Sequence, residues 1–141
     1  MTADASANGL PVAPRLPLCA SEALAERSRG WVWDVLHFGQ PARAFALRIE
    51  GRVVAYLNRC VHVPTELDWQ PGEFLDTDKR FILCSLHGAA YDPAHGQCVG
   101  GPCGRGRLTV IRVEEDSTGV HWYPSRDTQP TPNRTPDEPP R

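Results

Sequence analysis

Short runs of hydrophobic and β-branched residues, each ended by glycine or proline, form the main pattern of this chain. Residues 31–36 are mostly aromatic and aliphatic, and residues 44–49 alternate before a turn at 50–52 and a further run at 53–57. Runs of this kind are typical of β-strands. Gly51 can adopt the positive φ that tight turns favour, so the last two runs are predicted to form a hairpin.

The same pattern continues towards both ends of the chain. Residues 81–83, 108–113 and 119–123 predict three more strands. Residues 15–20 predict a strand at a sheet edge, because proline cannot donate to a ladder. Residues 21–26 begin with a possible serine N-cap but predict only a turn or two of helix. The chain is therefore predicted to be all-β, with about eight or nine short antiparallel strands.

Composition changes near both ends and divides the chain. Its 141 residues are expected to form one domain with tails. Residues 1–14 are small and polar, and predict a flexible N-terminus. Residues 124–141 are rich in proline and contain no valine, isoleucine, leucine or aromatic residue, so they predict a disordered tail. The domain itself is predicted to span residues 15–123.

Charge and cysteine content narrow the possible functions. With a net charge of −2, the chain is not expected to have the positive electrostatic potential that nucleic-acid binding needs. The sequence shows no secretory signal and no apolar run of membrane-spanning length, so neither export nor membrane insertion is expected. The five cysteines, an odd number, argue against a disulfide framework and for a reducing, cytoplasmic compartment.

Two pairs of cysteine and histidine are candidate metal ligands. Cys60 and His62 are separated by a single residue, and Cys84 and His87 form the second pair. Thiolate and imidazole are both ligands of transition metals. Zinc sites usually take pairs of like ligands at wider spacing, so the first pair favours a broader centre with two metals. A [2Fe–2S] cluster with two cysteines on one iron and two histidines on the other fits this spacing, and a zinc-binding module is the alternative.

The segments around both pairs resemble the Rieske iron–sulfur family. The resemblance rests on residues 60–62, on residues 84–92 and on a Gly-Pro loop that follows them, and it extends over residues 16–123. It implies an antiparallel β-sandwich base that carries a smaller cluster-binding subdomain at residues 58–105. It also implies one [2Fe–2S] cluster per chain as the cofactor.

The resemblance gives individual residues a role. Cys60 and Cys84 would ligate the inner iron, and His62 and His87 the outer one. The other cofactor-binding residues that it implies are Tyr91, beside the cluster, and Gly101 and Pro102, in the loop that covers it.

Departures from the family pattern distinguish its subtypes. Respiratory and photosynthetic members carry an extra cysteine in each ligand segment, whereas this chain has Leu86 before its second histidine ligand and no cysteine at 63–65. The chain is therefore expected to be similar to free-standing Rieske ferredoxins. High-potential members have a serine where this chain has Ala89, and a tyrosine that Tyr91 matches, so an intermediate reduction potential is expected.

The implied function is one-electron transfer from a reductase to an oxygenase or a related acceptor, by a monomer or weak oligomer. The chain leaves no room for a second, catalytic domain, so it is not expected to be an enzyme itself. Two alternatives stay open. One is a small Rieske subunit of a nitrite reductase-like or other oxidoreductase complex, and the other is a cluster-based redox sensor.

Two features beside the Gly-Pro loop each allow two interpretations. Cys98 and Cys103 bracket the loop. We favour two small buried thiols over a disulfide, because free cysteine behaves as a small hydrophobe. Arg105 and Arg107 follow the loop, and they either attract an acidic docking surface or are simply solvated.

Overall fold

A computed structural model describes residues 14–61, 65–86 and 88–132. Within that part of the chain, the fold consists of three antiparallel sheets and one short 3-10 helix at Ser21–Ala23. The predicted all-β class is confirmed. The strands are β1 Leu16–Cys19, β2 Trp31–His37, β3 Gln40–Ile49, β4 Arg52–Leu57, β5 Ile82–Leu83, β6 Ala90–Tyr91, β7 Cys98–Gly100, β8 Val113–Asp116, β9 Gly119–Trp122 and β10 Thr128–Pro130.

The central sheet has the strand order β10-β2-β3-β4 and contains the hairpin that the sequence predicts. Its turn places Glu50 and Gly51 at φ values of 53° and 80°. The turn between β2 and β3 repeats this geometry, with Phe38 at 49° and Gly39 at 77°. Two consecutive residues at positive φ match the right-handed twist of the strands, so both hairpins have the favoured turn geometry.

The sheet β1-β9-β8 packs on one face of the central sheet and completes the base of the domain. The predicted edge position of β1 is confirmed, because β1 pairs only with β9. Arg48 on β3 ties the two sheets together, because its guanidinium donates to both carboxylate oxygens of Glu115 at 2.9 and 2.7 Å. It also donates to the carbonyl of Leu24 at 2.7 Å.

The opposite face of the central sheet carries the third sheet, β5-β6-β7, and the loops around it. Phe45, Leu47 and Ile49 of β3 point into this side, and Phe45 stacks on Phe74 with ring centroids 3.8 Å apart. Ala44 and Ala46 of β3 point into the core of the base. The strand is thus buried on both faces, and it carries the third sheet on a rigid support.

The C-terminal region differs from the prediction. Residues 128–130 form β10, which pairs with β2 at the edge of the central sheet, so the expected disordered tail at 124–141 is wrong for this segment. Thr128 is buried, and its hydroxyl lies 2.9 Å from Nδ1 of His37. Backbone pairing with a free sheet edge replaces the apolar burial that this segment lacks. The predicted tails at 1–13 and 133–141 lie outside the described residues.

The strand expected at 108–113 begins later than predicted. Residues 108–112 carry only an isolated bridge between Val110 and Tyr56, and β8 starts at Val113. The predicted alternation does not hold there: Leu108 and Ile111, three residues apart, enter two different cores, and Val110 is exposed. In the described residues, no helix is long and apolar enough to cross a membrane.

Candidate metal centre

The two candidate cysteine ligands follow two different strands and enter the same core. Cys60 comes after the end of β4 and is 2% exposed, and Cys84 comes directly after β5 and is 1% exposed. Both belong to the cluster of buried residues between the central sheet and the third sheet, together with Tyr91. Two cysteines from distant segments of the chain are therefore buried in the same core as one tyrosine.

The first ligand segment is held by its own backbone and by Asn58. The amide of Cys60 donates to the carbonyl of Thr65 at 2.8 Å, which closes the segment into a loop. Asn58 is buried, accepts a hydrogen bond from the amide of Leu67 at 2.7 Å and donates to Asp68 at 3.1 Å. Sequence reasoning missed this brace, because an asparagine between two strands more often indicates a turn.

The second ligand segment forms a tight turn that is linked to the first. The amide of Cys84 donates to the carbonyl of Ala89 at 2.8 Å, and the amide of Gly88 donates back to the carbonyl of Cys84 at 3.1 Å. The amide of Ser85 donates to the carbonyl of Leu67 at 3.2 Å. Leu67 therefore connects the second turn to the loop that Asn58 braces.

Tyr91 lies between the two segments with its hydroxyl beside a sulfur. Its side chain is fully buried, the amide of Val61 donates to its hydroxyl at 3.1 Å, and the hydroxyl lies 3.5 Å from Sγ of Cys60. Burial raises the pKa of the Tyr91 phenol, and the hydrogen bond with Cys60 raises it further. The hydroxyl is therefore protonated at neutral pH and can donate to the sulfur.

The Gly-Pro loop contacts both ligand segments. Gly101 has a φ of 80°, and a Cβ at this position would lie 2.6 Å from the carbonyl oxygen of Gly88 and 2.9 Å from Cα of Ala89. A Cβ on Gly106 would lie 2.4 Å from Cγ1 of Val61. Glycine is needed at both ends of the loop, because the backbone approaches its neighbours too closely for a side chain.

Cys98 and Cys103 form a disulfide with a Cα–Cα distance of 5.8 Å, so our preference for two free thiols is wrong. Cys98 begins β7, and the chain turns back at Gly101 to bring Cys103 beside it. This return depends on the turn at the Gly-Pro loop, which the spacing of the cysteines alone does not reveal. The disulfide closes the base of the loop that touches both ligand segments.

We expect the purified protein to contain this disulfide. Its intact mass should be lower than that of the fully reduced chain by two hydrogen atoms, and reaction with a thiol reagent under denaturing conditions should leave Cys98 and Cys103 unmodified. A Cys98→Ser, Cys103→Ser variant provides the matched control, because its mass should not change on reduction. Alkylation of both residues in the unreduced protein would contradict the expectation.

The two histidine candidates, His62 and His87, lie outside the described residues. Within the described part of the chain, no three of the His, Cys, Asp and Glu side chains are grouped to hold a metal ion. The donors that are described nevertheless suit a cluster, because two buried sulfurs are soft ligands and a protonated tyrosine faces one of them. Sulfur-rich burial of this kind fits the inner iron of a [2Fe–2S] centre.

Solved structures with the same fold include two kinds of protein. The ferredoxin of carbazole 1,9a-dioxygenase from Nocardioides aromaticivorans IC177 has a TM-score of 0.61 and 22% identity, over 79% of this chain and 98% of the ferredoxin. A chain in a complex of reduced oxygenase and oxidized ferredoxin in carbazole 1,9a-dioxygenase has a TM-score of 0.58 and 22% identity, over 77% of this chain and 92% of that one.

A third solved structure is the terminal oxygenase of carbazole 1,9a-dioxygenase from Novosphingobium sp. KA1. It has a TM-score of 0.60 and 23% identity, over 83% of this chain but only 31% of the oxygenase. No curated protein sequence matches this chain significantly. The family model for the Rieske [2Fe-2S] domain matches residues 15–117, which include both ligand segments, Tyr91 and the Gly-Pro loop. With most of its length matched, the chain belongs to the Rieske [2Fe-2S] domain family.

Proposed function

We propose that this protein is a one-electron carrier that passes electrons from a reductase to an oxygenase through one [2Fe–2S] cluster. The observation that carries the proposal is the convergence of the two ligand segments and the Gly-Pro loop around two buried thiols. A free-standing ferredoxin is supported because the chain covers nearly all of one such ferredoxin and less than a third of an oxygenase.

The proposed ligands are Cys60 and Cys84 on one iron and His62 and His87 on the other. Such a cluster supplies a single electron at a time within the Rieske range of potentials. Cys60 and Cys84 would hold its inner side in the core, where the Tyr91 hydroxyl lies 3.5 Å from Sγ of Cys60. Gly101 and Pro102 belong to the loop that closes over the two segments, and Pro102 itself is exposed.

The electron would leave on the side of the histidine ligands. Val61, next to one proposed histidine, is 43% exposed, and Leu86, next to the other, is 61% exposed. Both ligand segments therefore reach the surface beside the proposed ligands, while the cysteines stay buried. This arrangement supports electron transfer to a protein partner. Electron transfer between proteins needs no substrate cavity, so we assign the protein the role of an electron-transfer component without catalysis of its own.

A cytoplasmic location and a monomer or weak oligomer complete the proposal. The odd cysteine count now supports a reducing compartment less directly, because two of the five cysteines form a disulfide. A disulfide is uncommon in the cytoplasm. Cys103 is only 6% exposed, which limits attack by thiol reductants on its sulfur, whereas Cys98 is partly exposed.

Reductive titration tests the proposed function. We expect the protein to contain two irons and two sulfides per chain, to take up one electron from dithionite and to release it reversibly to an oxidant. The reduced form should give a rhombic EPR signal with an average g value below that of the free electron. A colourless protein with one zinc per chain and no EPR signal would refute the proposal.

A further inference from the structure

The surface beside the first ligand segment combines an exposed apolar side chain with two arginines. Val61 is 43% exposed, and Arg59 precedes it by two residues. Gly106 packs directly on Val61, and Arg105, the chain neighbour of Gly106, is exposed. We call Arg59, Val61 and Arg105 the basic rim.

Both arginines of the basic rim are exposed and have no acidic partner in the described residues. Among the described residues, no carboxylate lies within 4.0 Å of Arg59 or Arg105. By contrast, ion pairs are formed by Arg15, Arg27, Arg29, Arg43 and Arg48. Arg107, which also follows the Gly-Pro loop, is different because it donates to the carbonyl of His95 at 2.9 Å.

A shallow cavity of about 250 Å³ adjoins the basic rim. His37 and Arg59 both line this cavity. Burial lowers the pKa of His37, and the positive charge of Arg59 lowers it further. The negative charge of Asp127 raises the pKa of His37. The Asp127 carboxylate lies 4.0 Å from Nε of Arg126. The cavity is lined by His37, Leu57, Arg59, Cys60, Val61 and Thr109.

Local charge at this surface differs from the charge of the whole protein. The chain has a net charge of −2, yet the basic rim has two exposed arginines without an ion pair in the described residues, together with the exposed apolar side chain of Val61. Charged groups around an apolar centre steer association and fix the orientation of a partner. Carboxylates are the complementary groups, because arginine binds them in a bidentate geometry.

We propose that the basic rim docks an acidic face of a redox protein partner, with partner carboxylates on Arg59 and Arg105 and an apolar contact on Val61. The proposal rests on the electron-carrier function and specifies the chemistry of the partner. It also accounts for the position of the surface, because Val61 follows one proposed ligand, Cys60, and precedes another, His62. Docking here brings the acidic partner to the side where an electron would leave or arrive.

Charge reversal tests the basic rim in the full-length protein with its cluster. The variants are Arg59→Glu and Arg105→Glu, and the matched control is Arg52→Glu. Arg52 is exposed, has no ion pair within the described residues and begins β4, whereas Arg59 follows the other end of that strand. All three variants change the net charge equally, so only position distinguishes them.

The probe is a reduced plant-type [2Fe–2S] ferredoxin of net negative charge, whose potential lies below the Rieske range. It loses one electron and the cluster of this protein gains it. At low salt, we expect the rate constant of this electron transfer to be about 10-fold lower in Arg59→Glu and Arg105→Glu than in Arg52→Glu, because the introduced carboxylates repel the acidic probe. With a positively charged cytochrome c as acceptor, the same two variants should be faster than the control.

Three results separate the possible failures. Equal rates in all three variants, or equal slowing with both probes, would overturn the docking surface while leaving one-electron chemistry intact. Loss of the rate difference at high salt would support it, because screening removes steering by exposed charges. A wild-type protein that accepts no electron from dithionite would instead refute the electron-carrier function on which the surface depends.

Discussion

Replacing Cys60 or Cys84 with serine is expected to abolish cluster binding. Each variant should lose the visible absorption, the bound iron and the EPR signal of the reduced protein, because a serine hydroxyl is not a soft, readily ionised ligand. Either variant should lose nearly all of its cluster, because a cluster that keeps only three of its four protein ligands is bound weakly.

Cys19→Ser is the matched control for these two variants. Cys19 is likewise not part of the Cys98–Cys103 disulfide, but it is only partly buried and packs against the core of the base, on the other side of the central sheet. Its replacement should leave two irons and two sulfides per chain. Circular dichroism should show that all three variants keep their strands, because serine is close to cysteine in volume. A full complement of iron in Cys60→Ser would contradict the ligand assignment.

The sequence predicts the elements that depend on local chemistry. The hairpin between β3 and β4 follows from Gly51, whose positive φ the structure confirms. The two ligand segments follow strands, as the sequence indicates, and the Tyr91 hydroxyl lies 3.5 Å from Sγ of Cys60. Such features need only turn residues and fixed spacings, and both are written in short stretches of sequence.

Features that depend on distant segments were missed or wrong. β10 exists because the edge of β2 is free to pair, which the composition of residues 124–141 does not reveal. The disulfide between Cys98 and Cys103 depends on the turn of the loop, and the role of Asn58 depends on where Leu67 lies. In each case the partner is set by three-dimensional packing and not by the residue type.

The buried faces of β3 show a further limit of sequence patterns. Residues 44–47 are all fully buried, although alternation predicts that only one face of the strand is covered. Both faces are covered because the sheet β1-β9-β8 lies on one face of the central sheet and the sheet β5-β6-β7 with its loops lies on the other. A strand that is covered on both faces has no solvent-exposed side and therefore needs no polar residues. Its sequence is a continuous hydrophobic run, and the run alone does not show which elements cover each face.

Tyr91→Phe is expected to lower the reduction potential of the cluster. The hydroxyl of Tyr91 lies 3.5 Å from Sγ of Cys60, and a hydrogen bond to a cluster sulfur stabilises the reduced form, which carries more negative charge. Removing one such bond should cost the reduced form roughly 1 kcal/mol, the net contribution of a typical hydrogen bond in a protein. For a one-electron couple, ~1.4 kcal/mol corresponds to ~59 mV, so we expect a shift of tens of millivolts to lower potential.

Tyr56→Phe separates this electronic effect from a loss of stability. Tyr56 is also buried and packs in the same core, but its hydroxyl donates to the carbonyl of Pro93 at 2.8 Å and not to a sulfur. Tyr56→Phe removes one buried hydrogen bond, whereas Tyr91→Phe removes the bond from the amide of Val61 and the contact with Sγ of Cys60. Each substitution should lower the free energy of unfolding by about 1–3 kcal/mol. Voltammetry on both variants should therefore show a lower potential in Tyr91→Phe alone. Equal potentials in the two variants would mean that the Tyr91 hydroxyl braces the amide of Val61 without tuning the cluster.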